Sequence, residues 1–369
     1  MKKVLVLGCT GSIGSQTLDI IRHNPDRFSV AGLSCNSNRK KLDALCKEFK
    51  APGSLFSSEG IKGLSSLIKN SGADIAVNGI AGSAGLLPSV CVIENRIPLA
   101  LANKETVVMA WDIVKSLAQK NSVPVIPVDS EHSAVFCLIN QAQKKNVSEI
   151  VITASGGPFR TYSREQLKTV TLQQALEHPT WSMGPKITVD SASLANKGLE
   201  VIEACRLFDM KPDRVTVVVH PQSLVHSLVR TTDGMLYAQI SDPDMRHPIQ
   251  NALTWPDMSP SYLEPFSLAG HDMSFFQPRT SDFKMLPLAY SAAEKGASYT
   301  IAYNAANEVA VSLFMQDKIG FLDIASLVEE VLGDDWTFTP KTIEEVMQAD
   351  SRARQSAERA YDRLKAVML

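Results

Sequence analysis

Short apolar runs alternate with helical patterns through the first third of the chain. Lys3–Leu7, Ser29–Leu33, Ile75–Asn78, Pro98–Leu101 and Pro124–Val128 read as strands, with amphipathic stretches between them. That alternation predicts βαβ units on a parallel sheet. From about residue 130 the rhythm changes. Glu149–Thr153, Lys186–Val189, Arg214–Val219 and Leu236–Ile240 read as strands, and Leu194 to about Phe208 as a helix. Fewer helices per strand predict an α+β domain whose open sheet face can support a dimer. Ser259–Asp282 carries Pro260, Pro265 and Pro278 with little periodicity and reads as a connecting segment. Beyond it the pattern is helical: Asn304–Phe314, Leu322–Leu332 and Ile343–Leu369 predict a small bundle, its last helix punctuated near Asp350. The expected domains are therefore 1–128, 129–258 and 283–369, with 259–282 as the connection.

Composition narrows the function classes. A chain of 369 residues, 44% hydrophobic, can bury more than one core. With 37 basic against 39 acidic residues there is no global field to draw it onto nucleic acid or an anionic membrane, so any phosphate recognition is local. The six cysteines lack CxxC or Cys/His spacing and read as reduced thiols. The apolar start is interrupted by Gly8 to Gly14, which argues against a signal peptide, and no apolar stretch of about 18 residues follows. A cytoplasmic protein is the expectation.

The first strand runs into Gly8-Cys-Thr-Gly11-Ser-Ile-Gly14, and Ser15 onward is helical. Glycines let the backbone approach a pyrophosphate, and the N–H groups of a helix start receive its charge, so this turn predicts dinucleotide binding. An acid at the end of the second strand would hold the ribose hydroxyls of NAD. Here the chain gives Asn36, Ser37, Asn38, Arg39, Lys40 and Lys41, with no acid before Asp43. Polar donors and bases suit a 2′-phosphate, hence NADPH.

Val125–Val128 ends in Asp129-Ser130-Glu131, and residues two apart on a strand face one side. Two such carboxylates repel unless a divalent cation joins them, and all-oxygen ligation selects Mg²⁺ or Mn²⁺. A third carboxylate, Glu200, shares a helix face with Asn196 and Lys197. Ser191 or Ser193 can cap that helix, giving an anion site beside Glu200. Ser155-Gly156-Gly157 is a turn after a strand, and His178 opens a loop carrying Trp181 and Met183, as in a lid that closes over substrate.

Taken together, these segments resemble the 1-deoxy-D-xylulose 5-phosphate reductoisomerase family over essentially the whole chain. The shared motifs are Gly-Cys-Thr-Gly-Ser-Ile-Gly at 8–14, Ala-Asn-Lys-Glu at 102–105, Asp-Ser-Glu-His at 129–132, Ser-Gly-Gly-Pro-Phe at 155–159 and His-Pro-Thr-Trp-Ser-Met-Gly at 178–184. Asn-Lys-Gly-Leu-Glu at 196–200, His-Pro-Gln-Ser at 220–223, Pro-Asp-Met-Arg at 243–246 and Asn-Ala-Ala-Asn-Glu at 304–308 complete them. The resemblance implies an α/β chain with a Rossmann-type N-terminal sheet, a central catalytic and dimerisation domain, and a C-terminal helical domain. It implies metal-dependent rearrangement of the substrate, then reduction by NADPH to 2-C-methyl-D-erythritol 4-phosphate.

By the same resemblance, Asp129, Glu131 and Glu200 hold the metal. Ser155, Ser191, Asn196 and Lys197 bind the phosphate, while Ser130, Lys104 and His178 hold the reacting end. Thr10, Gly11, Ser12, Ile13, Asn38, Asn103, Glu105 and Gly184 contact the cofactor, and Trp181 and Met183 form the lid. One departure stands out: where the family usually has Gly-Lys/Arg-Asn, this chain has Asn36-Ser37-Asn38, leaving Ser37 and Arg39 as expected partners of the 2′-phosphate. Residue chemistry alone leaves two rivals open, an NADP-dependent sugar-phosphate dehydrogenase without isomerisation and a non-catalytic NADP(H) sensor. A small sugar phosphate, and a second copy of the chain, are the partners the resemblance implies.

Overall fold

In a computed structural model that describes residues 1–368, Val4, Leu5, Val6 and Leu7 are fully inaccessible to solvent. They form most of strand β1 (Lys2–Leu7), and their burial on both faces marks an interior strand of a parallel sheet. With β2 (Phe28–Cys35), β3 (Gly53–Leu55), β4 (Ile75–Asn78), β5 (Leu99–Leu101) and β6 (Val125–Pro127) it makes a six-stranded sheet of order β3-β2-β1-β4-β5-β6, every pairing parallel. Strand order reverses between β1 and β4, and in such sheets ligands bind in the crevice beyond the carboxyl ends at that point. This is the predicted α/β class. Within this sheet, the three-residue β3 is the strand the periodicity did not predict.

The chain divides into two units whose limits differ from the expected domains. The first comprises Met1–Thr106, Asp112–Phe136 and Asp244–Ser267; the second comprises Val107–Trp111, Cys137–Pro243 and Leu268–Leu369. Residues 244–267 join the first unit because the helix Arg246–Thr254 lays Ile249, Ala252 and Leu253 into the core that holds Val4, Leu18 and Ile21. Arg246 also bonds Asp19 at 3.1 Å, and Tyr262 Oη donates to the same carboxylate at 2.7 Å. These limits differ from the expected boundaries at 128/129 and 258/259. The first unit also keeps residues 129–136, the start of the helix Ser130–Ala142.

The second unit contains a four-stranded sheet of β7 (Val147–Ala154), β8 (Val215–Val219), β9 (Val225–Thr231) and β10 (Leu236–Ile240), in order β10-β9-β7-β8. Strands β7 and β8 run parallel, and the other pairs antiparallel. The sequence reading omitted β9, whose Val225 to Val229 are buried, and placed a strand at Lys186–Val189 where the structure has the helix Pro185–Ser193. Ile187, Thr188 and Val189 favour strands, but Pro185 presets the helical φ at the first position and Thr188 Oγ1 bonds back to the Gly184 carbonyl at 2.8 Å. Leu194, left-handed at φ 62°, ends this helix and turns the chain into Ala195–Leu207.

The C-terminal bundle has a fourth helix, Met285–Lys295, besides Tyr299–Met315, Phe321–Leu332 and Ile343–Met368. The last helix passes through Asp350 without a break, because Arg354 one turn on pairs with that buried carboxylate at 2.7 Å. No described helix is long and apolar enough to cross a membrane.

Candidate active site

In the first unit, Gly8 ends β1 with φ +81°, and a Cβ there would stand 2.9 Å from the Gly79 carbonyl oxygen after β4. A Cβ on Gly14 would stand 2.3 Å from the Gly8 oxygen. Only glycine allows the turn to lie this close to β4 and to the first turn of the helix Ser12–His23. Gly11 caps that helix with no side-chain hydrogen bond, so no side chain competes for its first N–H groups, and no acid stands in its first turn. This cradle fits the pyrophosphate of a dinucleotide. Thr10, Ser12 and Ile13 belong to this turn, Ile13 packing on Gly79.

Asn103, after β5, donates to the carbonyls of Ile80 and Gly82, each at 2.8 Å, and to Glu105 at 2.8 Å. Its Oδ1 accepts the Thr106 N–H at 3.0 Å and so starts the helix Lys104–Asn121. Asn103 and Glu105 are thereby tied to the loop beyond β4, on the same sheet edge as the glycine turn.

On the far side, Asn38 caps the helix Arg39–Phe49 by accepting the Lys41 N–H at 3.0 Å. The backbone of Asn36 accepts from Ser57 N, and that of Ser37 from Arg39 N. Arg39 turns along its own helix toward Asp43, 3.8 Å away, and is 55% exposed. Lys41 does the opposite: its Nζ reaches the Thr10 carbonyl at 3.0 Å and Ser15 Oγ at 3.4 Å.

At the end of β6 the acidic pair is built differently from the strand alternation predicted. Asp129 caps the helix Ser130–Ala142, its Oδ1 accepting the N–H groups of Glu131 (3.2 Å) and His132 (3.4 Å), and Glu131 stands in the first helical turn. Carboxylate oxygens of the two nonetheless come within 4.8 Å of each other. Lys104 Nζ lies 2.9 Å from Asp129 Oδ2, both side chains largely buried, and His132 Nδ1 lies 3.0 Å from Oδ1. Ser130 Oγ donates to Glu131 Oε2 at 2.6 Å. An oxygen-only donor set that already attracts an ammonium fits a hard divalent cation. His132 was not among the predicted site residues; the Asp-x-x-His spacing, which sets the two side chains on one helix face, is the signal for it.

In the second unit, Gly156 and Gly157 hold φ +82° and +66°, and a Cβ on Gly157 would stand 2.9 Å from the Ser191 carbonyl oxygen. The turn after β7 therefore lies flat on the helix Pro185–Ser193. That contact sets Ser155 beside His178, whose Nε2 is 3.0 Å from Ser155 Oγ and 3.1 Å from Ser191 Oγ. Ser191 thus serves His178 rather than capping the next helix. Ser193 takes the nearer role, its Oγ accepting the Ala195 N–H at 3.3 Å.

His178 Nδ1 accepts two backbone N–H groups, from Thr180 (3.1 Å) and Trp181 (2.9 Å), so the proton of the neutral ring sits on Nε2. Burial agrees, pushing the imidazole down to about 4. Trp181 tilts over His226 with ring centres 6.3 Å apart, Met183 is half-buried, and Gly184 caps the following helix. Asn196 Nδ2 donates to Glu200 Oε1 at 2.5 Å and Lys197 pairs with Oε2, so the predicted shared face exists. Lys197 and Glu200 are almost fully buried.

Fold and glycine turn define the class: a Rossmann-type, dinucleotide-dependent oxidoreductase. Family models described as 1-deoxy-D-xylulose 5-phosphate reductoisomerase match residues 4–60 and 54–111, and those of its C-terminal domains match 125–208 and 240–356. The chain belongs to the 1-deoxy-D-xylulose 5-phosphate reductoisomerase family. Relatives of that name from Treponema denticola and Treponema pallidum are 50% and 48% identical, covering 96% and 97% of this chain and 96% of each relative. A crystal structure of DOX-P reductoisomerase with NADPH, fosmidomycin and magnesium superposes with a TM-score of 0.91 at 35% identity, covering 99% of both chains. The Zymomonas mobilis enzyme with NADPH gives 0.89 at 37% identity, over 98% of this chain and 99% of that one.

Proposed function

We propose that this chain converts 1-deoxy-D-xylulose 5-phosphate to 2-C-methyl-D-erythritol 4-phosphate with NADPH and a divalent cation, in non-mevalonate isoprenoid precursor biosynthesis. One observation carries the reading. The nucleotide cradle after β1 and the acidic pair after β6 stand on the same carboxyl edge of one sheet, a hydride source and a Lewis-acid centre on one scaffold.

Asp129 and Glu131 would hold the cation, with Glu200 the third ligand that the family resemblance implies; bound there it would polarise substrate oxygens, and NADPH would supply hydride. The residues then divide the work. Lys104, hydrogen-bonded to Asp129, handles a proton or stabilises negative charge at the reacting carbons, and Ser130 positions the same end. Neutral His178 offers Nε2–H to an oxygen, a role its two Nδ1 acceptor bonds keep fixed in tautomer. Ser155, Ser191, Asn196 and Lys197 bind the phosphate, and Trp181 and Met183 close over it to exclude water.

The chain works as a cytoplasmic homodimer: its six cysteines form no disulfide, which suits a reducing compartment, and the edge strand β10 exposes Leu236, Tyr237 and Ile240. The test is NADPH oxidation with 1-deoxy-D-xylulose 5-phosphate, with and without Mg²⁺ or Mn²⁺, followed by product identification. Metal-dependent formation of the branched product is the expected result. An unbranched product would leave only a dehydrogenase, and absence of turnover in metal-loaded protein that still binds NADPH would leave the sensor.

A further inference from the structure

The ribose end of the nucleotide crevice is set by the pairing of β1 with β2. Gly8 N and Cys9 N both donate to the Ser34 carbonyl, at 2.9 and 2.8 Å, so the chain leaving β2 runs alongside the glycine turn. A dinucleotide's adenosine ribose sits over that end of β2, where an acid would receive both ribose hydroxyls. The residues there are Cys35, Asn36, Ser37 and Asn38, and Asn38 is committed to capping the next helix. The base that the family usually places at position 37 is missing.

Three bases follow, and geometry separates two of them. Arg39 lies along its helix toward Asp43, a carboxylate that offsets its charge. Lys41 crosses from the first turn of the helix Arg39–Phe49 to the glycine turn, where its ammonium lies on the Thr10 carbonyl and on Ser15 Oγ of the helix Ser12–His23. Two helix starts without a first-turn acid and one ammonium thus gather beside the end of β2. Helix N-termini and a lysine side chain both favour phosphate. The carbonyl and hydroxyl that Lys41 now contacts are neutral acceptors, and a phosphate dianion is the stronger partner for the same Nζ.

We propose that Lys41 is the specificity residue of this chain for NADPH over NADH, pairing with the 2′-phosphate in place of the missing base at position 37. The inference rests on the reading of the chain as an NADPH-dependent enzyme.

The experiment is equilibrium binding of NADPH and NADH, followed by protein fluorescence without substrate or metal, in wild type, Lys41→Met, Lys41→Arg and Arg39→Ala, with melting temperature as the folding control. Lys41→Met raises the Kd for NADPH about tenfold or more and leaves that for NADH within about twofold, the size of one charge-assisted contact. Lys41→Arg restores preference, and Arg39→Ala has the smaller effect of the two. The salt dependence of NADPH binding flattens in Lys41→Met. An equal loss for both cofactors would assign Lys41 to the shape of the Thr10 turn and overturn the proposal. So would an unchanged NADPH Kd, or a larger loss from Arg39→Ala. Failure of wild type to prefer NADPH would instead remove the cofactor reading beneath it.

Discussion

Lys104 sets its ammonium 2.9 Å from Asp129 Oδ2, and both side chains are largely withdrawn from water. The lysine comes from the end of β5 and the aspartate from the end of β6, neighbours in the sheet, so the contact follows directly from strand order. A cation entering this centre must share Asp129 with the ammonium. Lys104→Met removes that competitor together with the group proposed to handle a proton or stabilise charge at the reacting carbons. Mn²⁺ binding, measured by calorimetry, is expected to hold or tighten while kcat falls about a hundredfold or more. Weaker Mn²⁺ binding in the variant would show that Lys104 organises the carboxylates rather than competing for them.

Glu200→Gln keeps the shape of the side chain and removes its charge. Lys197, almost fully buried, then loses the negative charge that Glu200 sets against it, which is destabilising. The expected outcome is a lower melting temperature, no metal-dependent turnover and unaltered NADPH binding, because the cofactor cradle belongs to the other unit. Loss of NADPH binding along with turnover would contradict that division.

His178 supplies a pH prediction. Its folded-state pKa is pushed by burial down to about 4 from the ordinary 6.5. As pH falls through 6.5 the unfolded chain takes up this proton and the folded chain does not until about 4, so stability drains away across that window and is untouched by this residue above it. Nitrogen NMR of the ring is expected to show the Nε2–H tautomer throughout, with no titration near 6.5. A normal midpoint would mean the Nδ1 bonds to Thr180 and Trp181 are not kept in solution.

Gly14→Ala tests the cradle. The new methyl would stand 2.3 Å from the Gly8 oxygen and 2.5 Å from Cys9 Cα, backbone atoms on both counts. The expected cost is about 2–3 kcal/mol in urea unfolding, with NADPH binding lost. Full-affinity binding in the variant would show that the turn yields without harm.

Much of this was legible in the chain. The apolar runs at Lys3–Leu7 and Ile75–Asn78 located buried parallel strands because both faces of such a sheet are covered, and Gly8 to Gly14 located the tight turn after β1 because only glycine tolerates that backbone approach. The Asn196, Lys197 and Glu200 spacing put three polar groups on one helix face, as the 3.6-residue period requires.

The rest depended on contacts that sequence distance hides. Nothing local tells that Ile249 and Leu253 return to the first core, since an apolar stripe does not name its partner. Ile187 to Val189 carry strand propensity, which Pro185 and the packing of Gly157 on the Ser191 carbonyl override. Asp129 and Glu131 read as neighbours on a strand, yet a helix start brings them together. Arg39 and Lys41 are equal in charge by sequence; the direction each side chain takes, toward Asp43 or toward Thr10, exists only once β2 lies against β1. The residue pattern therefore determined most of the elements and the residue chemistry available to them. Tertiary structure decided which groups meet, because helical and strand periods fix faces within an element, while the pairing of faces from distant segments is settled only by packing.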